Sequence, residues 1–237
     1  MSQEAATAAE EEYLQTIYWL EEAGLPITAA NIARAMQLSA PTVHEMVGRL
    51  EGDGYVTRAA DKSLSFTDSG RDHASQIVRR HRLIERFLTD VLNIPWDEVH
   101  EEAERLEHAM SPTLEERMLA AIGDAKTCPH GHPIKGGTRI EGVPLGDTEV
   151  GAKVTVLRFE NEAEDLLHLF KEEGLEPGRE GTVSSVDDDH VVVDFGGPTA
   201  TLTRSVAETV SVLADPSPPP RTALPEQLVL GKERYGR

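Results

Sequence analysis

Between positions 100 and 108, four side chains able to bind a divalent cation share one helix face: His100, Glu104, Glu107 and His108. On a helix they fall at about 0°, 40°, −20° and 80°, a single arc of about 100°. Val99, Ala103, Leu106 and Met110 occupy about 240° to 300°, so the arc borders the apolar face instead of pointing straight into water. One helix earlier His81 and Glu85, four positions apart, also share a face. An antiparallel pair of helices can bring two such faces together, and imidazole and carboxylate are the donors of divalent-metal sites in helical bundles. Either helix alone reads more readily as an acidic face in water; the two together, each with a His-x-x-x-Glu step, bring the readings near to even, and position does not decide between them. A third candidate, Cys128, His130 and His132 in CPHGHP, is a poorer zinc site. Three ligands within five residues are cramped, and no second Cys-rich half completes a tetrahedron.

The elements that would position these side chains follow from periodicity. Glu10–Glu22 carries Tyr13, Ile17 and Leu20 at helical spacing and stops at Gly24 and Pro26. Thr28 caps a short helix, AANIARAM, and Ser39 with Pro41 opens a third, PTVHEMVGRLEGDG. Two short extended runs, YVTRA and SLSFT, follow around the turn AADK. Helix, short helix, turn, helix and two-stranded wing make a winged helix-turn-helix, whose second paired helix enters the major groove of DNA. Residues 69–122 read as three helices. The first is capped by Ser69 and runs to about Asn93, the second restarts at Pro95–Trp96–Asp97 and runs to about Met110, and the third spans Pro112 to Ile122. Residues 138–149 have linker composition. From Ala152 the period is two: KVTVLRF, GTVSSV, HVVVDF and TLTRSV predict a small β-barrel, crossed by one helix, EAEDLLHLFKEEG.

The expected organisation is mainly α with a C-terminal all-β domain. Residues 1–73 form the DNA-binding unit, 74–145 a helical unit with linker, 146–215 the barrel, and 216–237 a proline-broken, mobile tail. No apolar run approaches the roughly 18 residues of a membrane helix. The single cysteine excludes an internal disulfide framework, and a cytoplasmic protein with no membrane partner is expected. The net charge of −19 argues against a generally basic nucleic-acid-binding surface. Residues 1–75 hold 12 acids and 5 bases, 76–145 hold 12 and 9, and 146–237 hold 18 and 9. No segment is basic, so DNA binding needs a local basic surface, a dimer or a bound cation.

Four pieces carry a resemblance: EEYLQTIYWLEE, SAPTVHEMVGRLEGDGYV, HRLIERFLTDVLNIPWDEVHEEAERLEHAMSP and CPHGHPI. In this order they resemble the diphtheria-toxin-repressor-like family of iron- and manganese-dependent regulators, over more than half the chain. The barrel is similar to that family's SH3-like third domain. The resemblance implies two metal sites and therefore two ions per chain. One takes His81, Glu85 and His100. The other takes Glu104, Glu107 and His108 together with Glu12 from the first helix. Iron-sensing members typically carry Met and Cys at the positions of Glu12 and Glu104. Two hard oxygen donors in place of two sulfurs favour Mn²⁺, with Fe²⁺ as the second choice. In some members the barrel adds ligands to the first site, and Glu160, Asn161, Glu162 and Glu164 lie in the matching region.

For DNA, the resemblance assigns Ser39, Pro41, Thr42 and Glu45 to the groove, with Arg49, Arg58 and Lys62 as phosphate partners. Glu45, where relatives often carry Gln, would accept from cytosine N4 and repel nearby phosphates. The expectation is a manganese-activated regulator, mainly a repressor, binding palindromic operators as a homodimer and controlling metal homeostasis without a small organic substrate. Phe87, Leu88, Val91 and Leu92 are candidates for the dimer face and equally for intradomain core. Two rivals remain: a di-metal carboxylate enzyme, which lacks the paired Glu-x-x-His steps, and a regulator sensing something other than metal through its barrel.

Overall fold

The computed structural model describes residues 6–134 and 137–218. Helix α1 (Ala8–Glu22) starts two residues earlier than its apolar spacing indicates, because Thr7 and Glu10 close a capping box around its first turn. Thr28 caps α2 (Ala29–Met36), which ends on Gln37 in the left-handed region (φ 53°). Ser39 caps α3 (Ala40–Gly52), with Pro41 in its first turn. The wing is the antiparallel pair β1 (Val56–Arg58) and β2 (Leu64–Phe66), in register Val56 to Phe66. Leu14, Ile17, Ile32, Val43, Val47, Leu50 and Leu64 form the core of this unit.

Helix α4 (Asp68–Leu92) is capped by Thr67, not by the expected Ser69. The Thr67 hydroxyl accepts from Gly70 N at 3.0 Å and donates to Gly54 O at 2.6 Å, so it satisfies the wing and the helix together. Gly70 packs directly beneath the Tyr55 carbonyl, where a Cβ would collide. The second helical stretch forms as α5 (Val99–Glu107), shorter at both ends than expected. Pro95–Glu98 is a turn, closed by Glu98 N to Pro95 O at 2.9 Å, because Trp96 and Asp97 are taken up by the C-terminal unit. Helix α6 spans Pro112–Ala121. Leu83, Ile84, Leu88, Val99, Ala103, Met118 and Ile134 make the second core. Of the four apolar residues expected at a dimer face or in the core, Leu88 is core, Phe87 packs against it, and Val91 and Leu92 are exposed.

The C-terminal unit is an antiparallel six-stranded sheet in the order β3-β8-β4-β5-β6-β7. Its strands are β3 (Val143–Pro144), β4 (Lys153–Phe159), β5 (Glu180–Val186), β6 (His190–Asp194), β7 (Thr199–Thr203) and β8 (Val210–Asp215). Helix α7 (Glu164–Glu172) covers it, and α8 (Arg204–Ala207) ends the run TLTRSV that the alternation reads as one strand. Two strands lack an obvious alternating signal. β3 is two residues inside the expected linker, and β8 follows α8 to become the partner of both β3 and β4. Phe159, Phe170, Leu166, Leu167, Val191 and Val210 form the third core. The expected tail falls mostly in residues 219–237, outside the described residues.

Candidate metal centre and DNA-binding surface

Helix α4 is amphipathic over 25 residues and carries His81 and Glu85 inward, at 1% and 0% exposure. Glu85 Oε1 lies 2.9 Å from His81 Nε2, 3.2 Å from His100 Nδ1 and 3.2 Å from His130 Nδ1. Opposite it, Glu162 lies just past β4, in a turn set by Asn161 Oδ1 accepting from Ala163 N at 3.0 Å. Its carboxylate lies 3.2 Å from His100 Nδ1, 3.6 Å from His130 Nδ1 and 3.3 Å from His132 Nε2. Trp19 of α1 closes the top, its ring 5.7 Å from that of His81 and 6.0 Å from that of His100.

Among the described residues, two groups bring one donor atom per residue to within 4.8 Å of one another. They are His81, Glu85, His100 and Glu162, and Glu85, Cys128, His130 and Glu162. The first contains the three residues expected for one site and adds Glu162 from the matching barrel stretch. The second shares both carboxylates and brings in Cys128 and His130 from the segment read as a loop. That segment folds back through the Thr127–Pro133 bridge and is anchored by Phe159 N to His130 O at 3.0 Å. Spacing within CPHGHP offers Cys128 and His130 no completing ligand, because the carboxylates beside them come from α4 and from just past β4.

The electrostatics of the pocket fit a cation. Burial alone would push His81 down, but Glu85 and Glu107 reverse this and raise it to about 9. His100 and His130 are likewise held well above the ordinary imidazole range by their carboxylate neighbours, against the effect of burial. Burial raises the Cys128 thiol to about 11, with Glu85 adding to it. Burial opposes charge on Glu85, yet His130 and His81 hold its carboxyl well below the usual range. A buried carboxylate, Glu85, and a part-buried one, Glu162, held this close require positive charge, which protons on the imidazoles or a divalent ion can supply. Glu85 Oε2 is buried without a hydrogen-bond partner, and His130 Nδ1 meets Glu85 Oε1 and Glu162 as ion-pair neighbours without hydrogen-bond geometry.

The residues expected for the other site are arranged differently. Glu107 Oε2 is bound to His81 Nδ1 at 2.7 Å and to Gln15 Nε2 at 3.4 Å, and Glu107 Oε1 lies 3.5 Å from His108 Nε2. Glu104 reaches His100 Nε2 at 3.5 Å. His108 Nδ1 is bound at 2.7 Å to Glu11, not to Glu12. Glu12 is exposed on the outside of α1. Glu11 also meets His73 of α4 at 3.2 Å, and because Tyr13, Leu14 and Ile17 orient α1 toward the core, Glu11 is the carboxylate that faces the helical unit.

At the DNA-reading end, Ser39 spends its hydroxyl on the cap of α3, 2.7 Å from Thr42 Oγ1. Pro41, Thr42 and Glu45 are exposed along the first turns of α3. Arg49 pairs with Glu10 at 2.7 Å. Arg58 grips Glu51 through Nε at 3.1 Å and Nη2 at 2.6 Å. Lys62 is exposed at the tip of the wing (φ 69°). Both arginines expected to meet phosphate are therefore held by carboxylates of their own chain.

A winged helix joined to a helical unit with a buried His/carboxylate cluster defines the class: a DNA-binding protein with a metal centre. Comparison with known proteins agrees. Residues 6–64 match the N-terminal DNA binding domain of iron dependent repressors, residues 67–136 their metal binding and dimerisation domain, and residues 143–214 the FeoA domain. The chain is 35% identical over 219 residues to the iron-dependent repressor IdeR of Mycobacterium leprae, covering 85% of this chain and 95% of that protein. It is 35% identical over 221 residues to the diphtheria toxin repressor of Corynebacterium diphtheriae, with the same coverage of each chain. Among solved structures it resembles a manganese-dependent transcriptional repressor in complex with manganese (31% identity, TM-score 0.79, 86% of this chain and 99% of that one). It also resembles T. acidophilum IdeR (27% identity, TM-score 0.74, 90% and 100%). The chain belongs to the diphtheria-toxin-repressor-like family of metal-dependent, DNA-binding transcriptional repressors. It is a regulator and not an enzyme. Among the described residues no helix is long and apolar enough to cross a membrane.

Proposed function

We propose that this protein is a manganese-activated repressor that acts in the cytoplasm as a homodimer on palindromic operator DNA and controls metal-homeostasis genes. The observation that carries this reading is the approach of buried Glu85 and part-buried Glu162 amid His81, His100 and His130, which joins the helical unit to the sheet unit around one pocket. His81, Glu85, His100 and Glu162 hold one ion. Glu104, Glu107 and His108, with a carboxylate from the first turn of α1, hold a second. Glu12 is the resemblance's choice for that carboxylate, and Glu11 is the one seated against His108. A bound divalent ion supplies the positive charge that lets these carboxylates stand together.

The DNA surface is coupled to the same turn of α1. Glu10 engages Arg49 of the recognition helix, and Glu11 engages His108 of the helical unit, so adjacent residues of one helical turn touch both units. Ser39, Pro41, Thr42 and Glu45 face the groove, Lys62 meets a phosphate from the tip of the wing, and Arg49 and Arg58 do so once exchanged from Glu10 and Glu51. Exposed Val91, Leu92, Leu106 and Leu114 on the helical unit are the apolar residues available to a dimer contact.

One observation favours iron(II) as the second reading. Cys128 places a sulfur donor beside Glu85, His130 and Glu162, and a soft ligand shifts preference away from manganese. The deciding experiment measures retention of genomic DNA fragments by chelator-stripped protein at fixed salt, alone, with Mn²⁺, and with Fe²⁺ under anaerobic conditions. Sequence-selective retention that appears with manganese and is lost in Glu104→Ala supports the reading. Retention with iron alone transfers it to the second. Selective retention without any metal overturns the metal trigger.

A further inference from the structure

The barrel's contribution to the metal pocket depends on how the sheet unit sits against the helical unit, because Glu162 is the one ligand candidate in the first group that α4 and α5 do not carry. The seat has an apolar and an ionic part. Trp96, in the turn before α5, stacks on Phe159 at the end of β4 with ring centroids 5.6 Å apart and planes 22° apart. The Trp96 carbonyl accepts from His130 Nε2 at 2.8 Å, so this turn also touches the loop that lines the pocket. The next residue, Asp97, is 4% exposed. Its carboxylate lies 2.5 Å from Lys171 Nζ through Oδ1 and 2.8 Å from His168 Nδ1 through Oδ2. Both partners are on α7, whose other face, Leu166, Leu167 and Phe170, is packed into the sheet core. A buried carboxylate left without its partners is costly, so the pairing holds α7 and the sheet beneath it at one position on the helical unit.

We propose that Asp97, with Lys171 and His168, is a positioning latch that seats the sheet unit so that Glu162 enters the His81–Glu85–His100 group. Asp97 does not touch the pocket; it acts on ion affinity through Glu162. The inference rests on the reading of Glu162 as a ligand, and the test separates the two.

The test measures Mn²⁺ affinity of the full chain by calorimetry and by the electron paramagnetic resonance signal of free Mn²⁺. The variants are Asp97→Asn, Lys171→Met, Lys171→Arg, Glu162→Gln and the double variant Asp97→Asn/Glu162→Gln. Asp97→Asn and Lys171→Met each weaken one binding step by about 10-fold, in the range for residues that orient metal ligands. Lys171→Arg restores it. In the Glu162→Gln background Asp97→Asn has no further effect. Lys171→Met guards against a folding failure, since that side chain is 45% exposed. If Glu162→Gln weakens binding but neither Asp97→Asn nor Lys171→Met does, or if the two single losses add in the double variant, the latch is overturned. If Glu162→Gln itself leaves affinity unchanged, the ligand reading fails first and the latch has nothing to position.

Discussion

His81 and His100 lie against carboxylates and keep their protons above the ordinary imidazole range, and each must lose one before its nitrogen can hold the proposed ion. Ion binding at this pocket therefore releases protons. Affinity rises from about pH 6 to about pH 8, because fewer protons have to be displaced at the higher pH. Calorimetry in buffers of different ionisation enthalpy reads the released protons directly, and a pH-independent affinity would contradict the assignment of these imidazoles. Arg49 makes a second residue-scale case. If it exchanges Glu10 for a phosphate, Arg49→Ala weakens binding to operator and unrelated DNA alike and lowers the slope of log affinity against log salt by about 1. A loss confined to the operator would make it a base contact.

At the scale of elements, the loop 128–134 brings Cys128, His130 and His132 to the site. Gly131 stands between His130 and His132 at φ 96°, and a Cβ there would run into the Leu157 carbonyl and Arg158 of β4. Gly131→Ala thus combines an unfavourable backbone conformation with a collision, at a cost of about 1 to 3 kcal/mol for each. It withdraws both histidines from the pocket while leaving α4 and α5 in place. The expected result is a lowered melting temperature together with weakened metal binding. A variant with native melting and native affinity would mean that the loop does not set the site. Thr67 likewise ties α4 to the segment leading into the wing, since its hydroxyl accepts from Gly70 N and donates to Gly54 O.

Across the whole molecule, three cores meet around one charged pocket, and its carboxylates come from α4 and from the sheet unit. An ion held by both units stabilises their association as well as each fold. At a hundredfold excess over Kd the gain is about 2.7 kcal/mol. Scanning calorimetry with and without Mn²⁺ should show the helical and sheet transitions moving up together and merging. A shift of one transition alone would confine the ion to one unit. Acidity matters at this scale too. With a net charge of −19 and both candidate phosphate-binding arginines paired internally, neutralising carboxylates at the metal centre reduces the repulsion that opposes DNA.

Local rules were enough to read the winged helix from the residues: caps at Thr28 and Ser39, the stops at Gly24 and Gly52, and period-two runs around a short turn are chemistry between near neighbours. The same holds for His81 with Glu85 and for the arc from His100 to His108, since helical spacing alone places them on common faces. What lay out of reach depends on contacts between distant segments. Ser69 and Thr67 both suit a cap, and only the wing's demand for the Thr67 hydroxyl decides between them. β8 carries little alternation of its own and becomes a strand because β3 and β4 offer it partners. Glu11 and Glu12 are indistinguishable in sequence, and the burial of Tyr13, Leu14 and Ile17 turns Glu11 toward His108. Cys128 and His130 look like an incomplete zinc site until β4 carries Glu162 beside them. Caps, helical spacing and short alternating runs thus fixed the winged helix, the three helices that follow it, most strands of the sheet and the donor types they carry. Tertiary structure decided which donors share a pocket, because ligation needs atoms within a few ångströms, and here packing between units sets those distances.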